Sequence, residues 1–188
     1  MAVAGLYALW GGLLGGAGAT LYLRAGATNS AVACLLLAWL FLAMPEAVLF
    51  RIPLWRHVLG AAGVSLCWVP LLRQIDSVRL VPVAIATHAL SRASAIALIW
   101  VSRPSRDGMA LARKLDSFSA CIAIACGTAA AVYCGLRPAV LMVLVSTLVL
   151  RGVRHWFYQN SGGVNPTALS VAQHATELST LLIASFVR

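Results

Sequence analysis

Charged side chains are scarce in this sequence of 188 residues: they make up 10% of it, and only five are Asp or Glu. Soluble domains typically carry about 25% charged residues, so this chain has too few to cover a water-facing surface. Hydrophobic residues make up 61% of the sequence, and the mean hydropathy is +0.90. The composition excludes an ordinary soluble domain and predicts an integral membrane protein.

Sequence motifs of the common enzyme classes are missing as well. The chain has no P-loop, no H-E-x-x-H, no G-x-S-x-G and no C-x-x-C. Its five cysteines all lie in apolar runs, where a free thiol behaves as a small hydrophobe. We therefore predict neither a disulfide framework nor a metal site built from cysteine.

The few charges are mostly positive. Fourteen Lys and Arg face five Asp and Glu, which gives a formal net charge of +9. A basic balance can indicate nucleic-acid binding, but these arginines punctuate apolar runs instead of forming a basic patch. We predict that they flank membrane spans and contact anionic headgroups, with the lipid bilayer as partner and no nucleic acid.

Long apolar runs predict the fold class, an all-α polytopic transmembrane bundle with six or seven short spans. A spanning helix needs about 20 mainly apolar residues. Because no cationic region precedes the first run, it is predicted to be a span and not a cleaved signal peptide. We expect one integral membrane domain over residues 1–188, with several passes through the cell's inner membrane. The predicted spans are 4–23, 30–50, 58–72, 80–101, 118–136, 138–150 and 168–187.

Glycines mark two places along the chain. Gly12 and Gly16 form a GxxxG pair in the first span, a spacing that lets helix backbones approach closely. Gly162 and Gly163 lie in a predicted polar loop over 151–167, just before the last span. In that loop Asn165 or Thr167 is placed to cap the helix, and a helix N-terminus attracts anions such as phosphate.

Ionisable residues occur in the middle of two predicted spans, where each costs about 2.5–3.5 kcal/mol on insertion scales. His88 and Arg92 are four residues apart, and His174 and Glu177 are three apart, so each pair shares one helix face. We predict that Arg92 and Glu177 meet across the bundle. Three interpretations stay open: a structural ion pair, a polar pocket that binds an anionic substrate through Arg92, or side chains that snorkel to an interface.

Several stretches resemble the cobalamin-5'-phosphate synthase family, also called adenosylcobinamide-GDP ribazoletransferase. The segment 162–169, with its continuation through Gln173 and His174 to Glu177, resembles the family's glycine-rich loop and final helix. The stretch 89–92 resembles its Ser-Arg helix, here Ser91 and Arg92, and is followed by a charged loop with a glycine. The glycine-rich stretch 11–16 resembles the family's N-terminal region.

The resemblance implies a function in cobalamin (vitamin B12) biosynthesis. The family joins α-ribazole or its 5'-phosphate to a GDP-activated corrinoid, releases GMP and depends on Mg²⁺. It implies a corrinoid nucleotide as substrate and other corrinoid-assembly proteins as partners. Glu46 and Glu177 are then the acids left for metal binding or catalysis. Substrate contacts would come from six polar side chains: His88, Ser91, Arg92, Asn165, Gln173 and His174.

The chain departs from the family's pattern at its acidic positions. Where the family carries an Asp-Gly-Leu-Ala-Asp type of motif, this chain retains only Glu46, and the family's Gly-Asp in the last loop is replaced by Pro166 and Thr167. A Mg²⁺ site needs carboxylates and substrate phosphates. The sequence therefore leaves three functions open: an enzyme, a catalytically silent binding or scaffold protein, and a small transporter.

Overall fold

A computed structural model describes residues 2–26, 54–106 and 115–187. The described residues form six α-helices, and their only β-pairing is one isolated bridge. The all-α prediction is confirmed, whereas the predicted span over 30–50 lies outside the described residues. The helices are α1 (Ala2–Arg24), α2 (Leu54–Leu72), α3 (Ser77–Val101), α4 (Ser117–Val132), α5 (Leu136–Ser161) and α6 (Pro166–Phe186).

Within the described residues, three helices contain a segment long and apolar enough to cross a membrane. These segments are Leu6–Arg24 in α1, Ser77–Val101 in α3 and Leu136–Ser161 in α5. Helix α4 is apolar but shorter. The full number of spans, six or seven, stays a prediction.

Helix α3 is the centre of the bundle. It packs against α1, α4, α5 and α6, and 83% of its most apolar segment is buried inside the protein. Helix α5 lies at the periphery, where the corresponding share is 22%. Its outer face carries exposed leucines such as Leu144 and Leu148, as expected for a surface in contact with lipid.

The boundaries of α5 differ from the prediction. The polar stretch after residue 150 is not a loop, because the helix continues through it to Ser161. Arg, His, Trp and Gln are tolerated in helices, and the helix ends only at Gly162, which adopts the left-handed conformation with φ 64°. Helix α6 then starts with Asn165 as its N-cap and Pro166 in its first turn.

Two loops meet where α3 ends and α6 begins. The N–H of Ser105 donates to the carbonyl of Val164 at 2.9 Å, and the N–H of Val164 donates to the carbonyl of Arg103 at 3.1 Å. Gly163 makes this approach possible, since a Cβ there would lie 2.8 Å from the carbonyl oxygen of Arg103. The two helices are thereby held in register at this end of the bundle.

Candidate functional site

Polar side chains are concentrated in the middle of α3 and α6, which pack against each other. Arg92 on α3 is 4% exposed, and Glu177 on α6 is 6% exposed. Because a charge buried inside a protein is costly unless it is paired, both groups need partners inside the protein. We call the set that surrounds them the His88 cluster; its members are His88, Arg92, Gln173, His174 and Glu177.

His88 lies between the two charged groups. Its Nδ1 is 3.1 Å from Oε1 of Glu177 and 3.3 Å from Nη1 of Arg92. The other carboxylate oxygen, Oε2, is 3.8 Å from Nδ1 of His174. The two pairs that share a helix face in the sequence are thus brought into one largely buried group.

A neutral imidazole nitrogen either donates or accepts a hydrogen bond. The bonds that Nδ1 of His88 makes to Glu177 and Arg92 therefore depend on the tautomer of His88. With Glu177 ionised, Nδ1–H donates to Oε1, and Nη1 of Arg92 donates to the backbone carbonyl of His88 at 3.2 Å. The other tautomer accepts from Arg92 and requires a protonated Glu177. The tautomer here is assigned from hydrogen-bond geometry, and the first arrangement keeps both charges in contact with suitable partners.

Two aromatic side chains that the sequence analysis did not single out complete the surroundings. Trp68 on α2 is fully buried and stacks on the imidazole of His88, with ring centroids 4.9 Å apart. The ring of Tyr7 on α1 lies 5.7 Å from the guanidinium carbon of Arg92, and its hydroxyl donates to Oε1 of Gln173 at 3.1 Å. Neither residue belongs to a motif, so only the packing of the helices reveals them.

Glycines of α1 provide the space in which Arg92 and His88 lie. A Cβ at Gly11 would be 2.3 Å from Cδ of Arg92, and a Cβ at Gly15 would be 2.6 Å from Cδ2 of His88. The GxxxG pair picked out from the sequence also faces α3, but with more room, at 3.0–3.5 Å from the nearest atoms. The glycines that border the His88 cluster are therefore Gly11 and Gly15, each one residue before a member of the GxxxG pair Gly12 and Gly16.

The other predicted site residues, Ser91, Asn165 and Glu46, do not belong to the His88 cluster. Ser91 is fully buried, and its hydroxyl donates to the carbonyl of His88 within the same helix. Asn165 caps α6, since its Oδ1 accepts from the N–H of Ala168 at 2.9 Å. This cap lies about two helical turns from the nearest residue of the cluster. Glu46 lies outside the described residues.

The donor set of the cluster bears on the Mg²⁺ requirement. Mg²⁺ takes oxygen ligands, usually one or two carboxylates together with substrate phosphates and water. Among the residues that the structure describes, no group of three or more His, Cys, Asp or Glu is arranged to hold a metal ion. Both oxygens of Glu177 face imidazole nitrogens. The described donors by themselves therefore do not fit a Mg²⁺ site.

Comparison with known families agrees with the resemblance seen in the sequence. Residues 56–185, more than half of the chain, match the family described as cobalamin-5-phosphate synthase. Neither a curated protein nor a solved structure matches the chain. The matched region contains the whole His88 cluster, and with the long apolar helices it indicates a membrane protein of cobalamin biosynthesis. The chain belongs to the cobalamin-5-phosphate synthase family.

Proposed function

We propose that this protein is a ribazoletransferase of the inner membrane, which joins α-ribazole or its 5'-phosphate to a GDP-activated corrinoid and releases GMP. In the proposed reaction a ribazole hydroxyl attacks the corrinoid-side phosphorus, a new phosphoester bond forms, and the bond to GMP breaks. Arg92 binds a phosphate of the activated corrinoid. Glu177 accepts the proton of the attacking hydroxyl.

One observation carries this proposal: a buried cation and a buried carboxylate both contact His88 within 3.3 Å. A guanidinium matches the geometry of phosphate oxygens, and it binds them more strongly where water is excluded. A carboxylate held by an imidazole N–H is oriented for proton transfer. The amide of Gln173 and the ring of His174 would contact the substrate from the same helix as Glu177.

The remaining predicted residues have supporting roles in the proposal. The N-terminus of α6, capped by Asn165, would attract a phosphate outside the cluster, while Ser91 supports the backbone of His88. The resemblance implies Mg²⁺ with Glu46 and Glu177 as ligands. Since the described donors do not form that site, the metal requirement has to be measured directly.

The test is GMP release by the purified protein in lipid nanodiscs, with a GDP-activated corrinoid and α-ribazole 5'-phosphate, with and without EDTA. Arg92→Ala should lower kcat/KM about 100- to 1,000-fold, the range for removing one group that stabilises transition-state charge. Arg92→Lys keeps the charge but loses the planar fork, so it should fall in between. Arg151→Ala, at an exposed position on α5, is the matched control and should behave as the wild type.

If the Arg92→Ala variant has the same kcat/KM as the wild type, the assigned role of Arg92 is refuted. A monodisperse wild-type protein that releases no GMP would refute the transferase proposal itself. The melting temperature of each variant is measured alongside, so that a loss of folding is not mistaken for a loss of catalysis.

A silent binding protein is the second candidate, and the arrangement of Glu177 favours it. Both oxygens of this carboxylate face histidines, which suits a structural ion pair. This alternative predicts that the corrinoid nucleotide raises the melting temperature while no GMP is released. Arg92→Ala would then abolish the stabilisation by ligand.

A further inference from the structure

One face of α1 forms a wall of the His88 cluster. Tyr7, Gly11 and Gly15 recur every four residues, so they lie along the same side of the helix. Tyr7 contacts Arg92 and Gln173, while the two glycines border Arg92 and His88. The family match begins at residue 56, so it assigns no role to α1.

We propose that Tyr7 is a positioning residue for the transfer reaction and that Gly11 and Gly15 are the backbone surface on which Arg92 and His88 are held. The inference rests on the proposed function, because the reaction is what the positioned groups serve. It adds α1 to a site that the sequence placed on α3, on α6 and at Glu46.

Tyr7 acts on two groups from two different helices. Its ring lies against the guanidinium of Arg92, and a cation over an aromatic face is attracted by the ring quadrupole. Its hydroxyl donates to Oε1 of Gln173, which fixes the amide plane and directs the NH₂ group away from Tyr7. One side chain, 7% exposed, therefore sets the orientation of a phosphate-binding cation and of a neighbouring hydrogen-bond donor.

Gly11 is constrained more tightly than its neighbour on the same helix. A Cβ at Gly11 would lie 2.3 Å from Cδ of Arg92 and 2.6 Å from the backbone oxygen of His88. A Cβ at Gly12 would meet its nearest atoms at 3.5 Å, which is ordinary contact. An added methyl group at Gly11 must therefore displace Arg92 or the α3 backbone, whereas one at Gly12 displaces neither.

The experiment compares two variants with two matched controls in the nanodisc assay. Tyr7→Phe retains the ring and loses the hydroxyl, and Gly11→Ala adds the methyl group. Tyr22→Phe, at another buried tyrosine of α1, and Gly12→Ala are the controls. A neutral hydrogen bond, such as the one from Tyr7 to Gln173, contributes modestly to the free energy of substrate binding. We therefore expect Tyr7→Phe to lower kcat/KM about two- to tenfold, mainly through KM. Gly11→Ala should lower it further, and both controls should stay within about twofold.

A double-mutant cycle separates positioning from general packing. If Tyr7 acts through Gln173, Tyr7→Phe has no further effect on kcat/KM in a Gln173→Ala background. Equal effects in both backgrounds would overturn the inference. So would kinetics of Tyr7→Phe and Gly11→Ala that match those of their controls, and in that case the transferase proposal would stand.

The same four proteins of the cycle are melted without substrate, so the inference can be judged even if the wild type releases no GMP. Absence of turnover refutes the transferase proposal and the reaction that Tyr7 would serve, but it leaves the ordering of the cluster by Tyr7 to be judged. Non-additive melting temperatures would then support Tyr7 as the residue that orders the cluster, and additive ones would overturn it.

Discussion

Glu177→Gln tests whether the two buried charges of the His88 cluster depend on each other. The substitution retains the size of the side chain and removes its negative charge. Oε1 of Glu177 and Nη1 of Arg92 lie 3.1 Å and 3.3 Å from the same nitrogen of His88. These two contacts keep the charged atoms within about 6.4 Å of each other, close enough to interact in a water-poor interior.

The expected loss of stability follows from that separation. At an effective dielectric constant of about 20, two unit charges at that upper limit of about 6.4 Å attract by about 2.6 kcal/mol. For a chain of about 150–250 residues, 1 kcal/mol shifts the melting temperature by about 2–4 °C. We therefore expect Glu177→Gln to lower the melting temperature by about 5–10 °C.

The assay is thermal unfolding in nanodiscs, followed by tryptophan fluorescence, for Glu177→Gln, Arg92→Met and the double variant. The attraction can be lost only once, so the double variant should melt about 5–10 °C above the value expected from adding the two single losses. Asp76→Asn, at an exposed acid before α3, is the charge-removal control and should shift the melting temperature by less than about 2 °C. Strictly additive losses would refute the coupling of Arg92 to Glu177.

Two further predictions concern individual contacts. Thr176 is fully buried, and among the described residues its hydroxyl has no hydrogen-bond partner. Because an unpaired buried hydroxyl lowers the stability of the fold by about 1–3 kcal/mol, Thr176→Val should raise the melting temperature. A lower melting temperature would contradict this reasoning. Gly163→Ala should separate the two loops at the end of α3, since its Cβ would lie 2.8 Å from the carbonyl oxygen of Arg103. Faster hydrogen exchange at the amides of Ser105 and Val164 would show the separation. Gly152→Ala, with no atom within 4 Å of the new methyl group, should leave that exchange unchanged.

The apolar runs predicted the end of a helix correctly where hydrophobic residues continue to that end. The prediction was wrong where the hydrophobic residues stop before the helix does. Helix α3 was predicted over 80–101 and spans Ser77–Val101, because its hydrophobic residues continue to its end. Helix α5 was predicted to end at residue 150 and ends at Ser161. Loss of hydrophobicity shows where a chain leaves an apolar environment, whereas a helix ends where the backbone changes conformation, here at Gly162.

The composition of the chain by itself determined that it is a membrane protein, since so few charges cannot cover a surface in water, and the length of its apolar runs predicted the helices. Helical spacing determined that His88 and Arg92, and likewise His174 and Glu177, share a face, because that geometry is local to one helix. The packing of helices decided the rest. Only it brings Tyr7 to Gln173 across 166 positions of sequence, and places His88 between Arg92 and Glu177, because contacts between distant segments depend on how whole helices fit together and not on any local pattern.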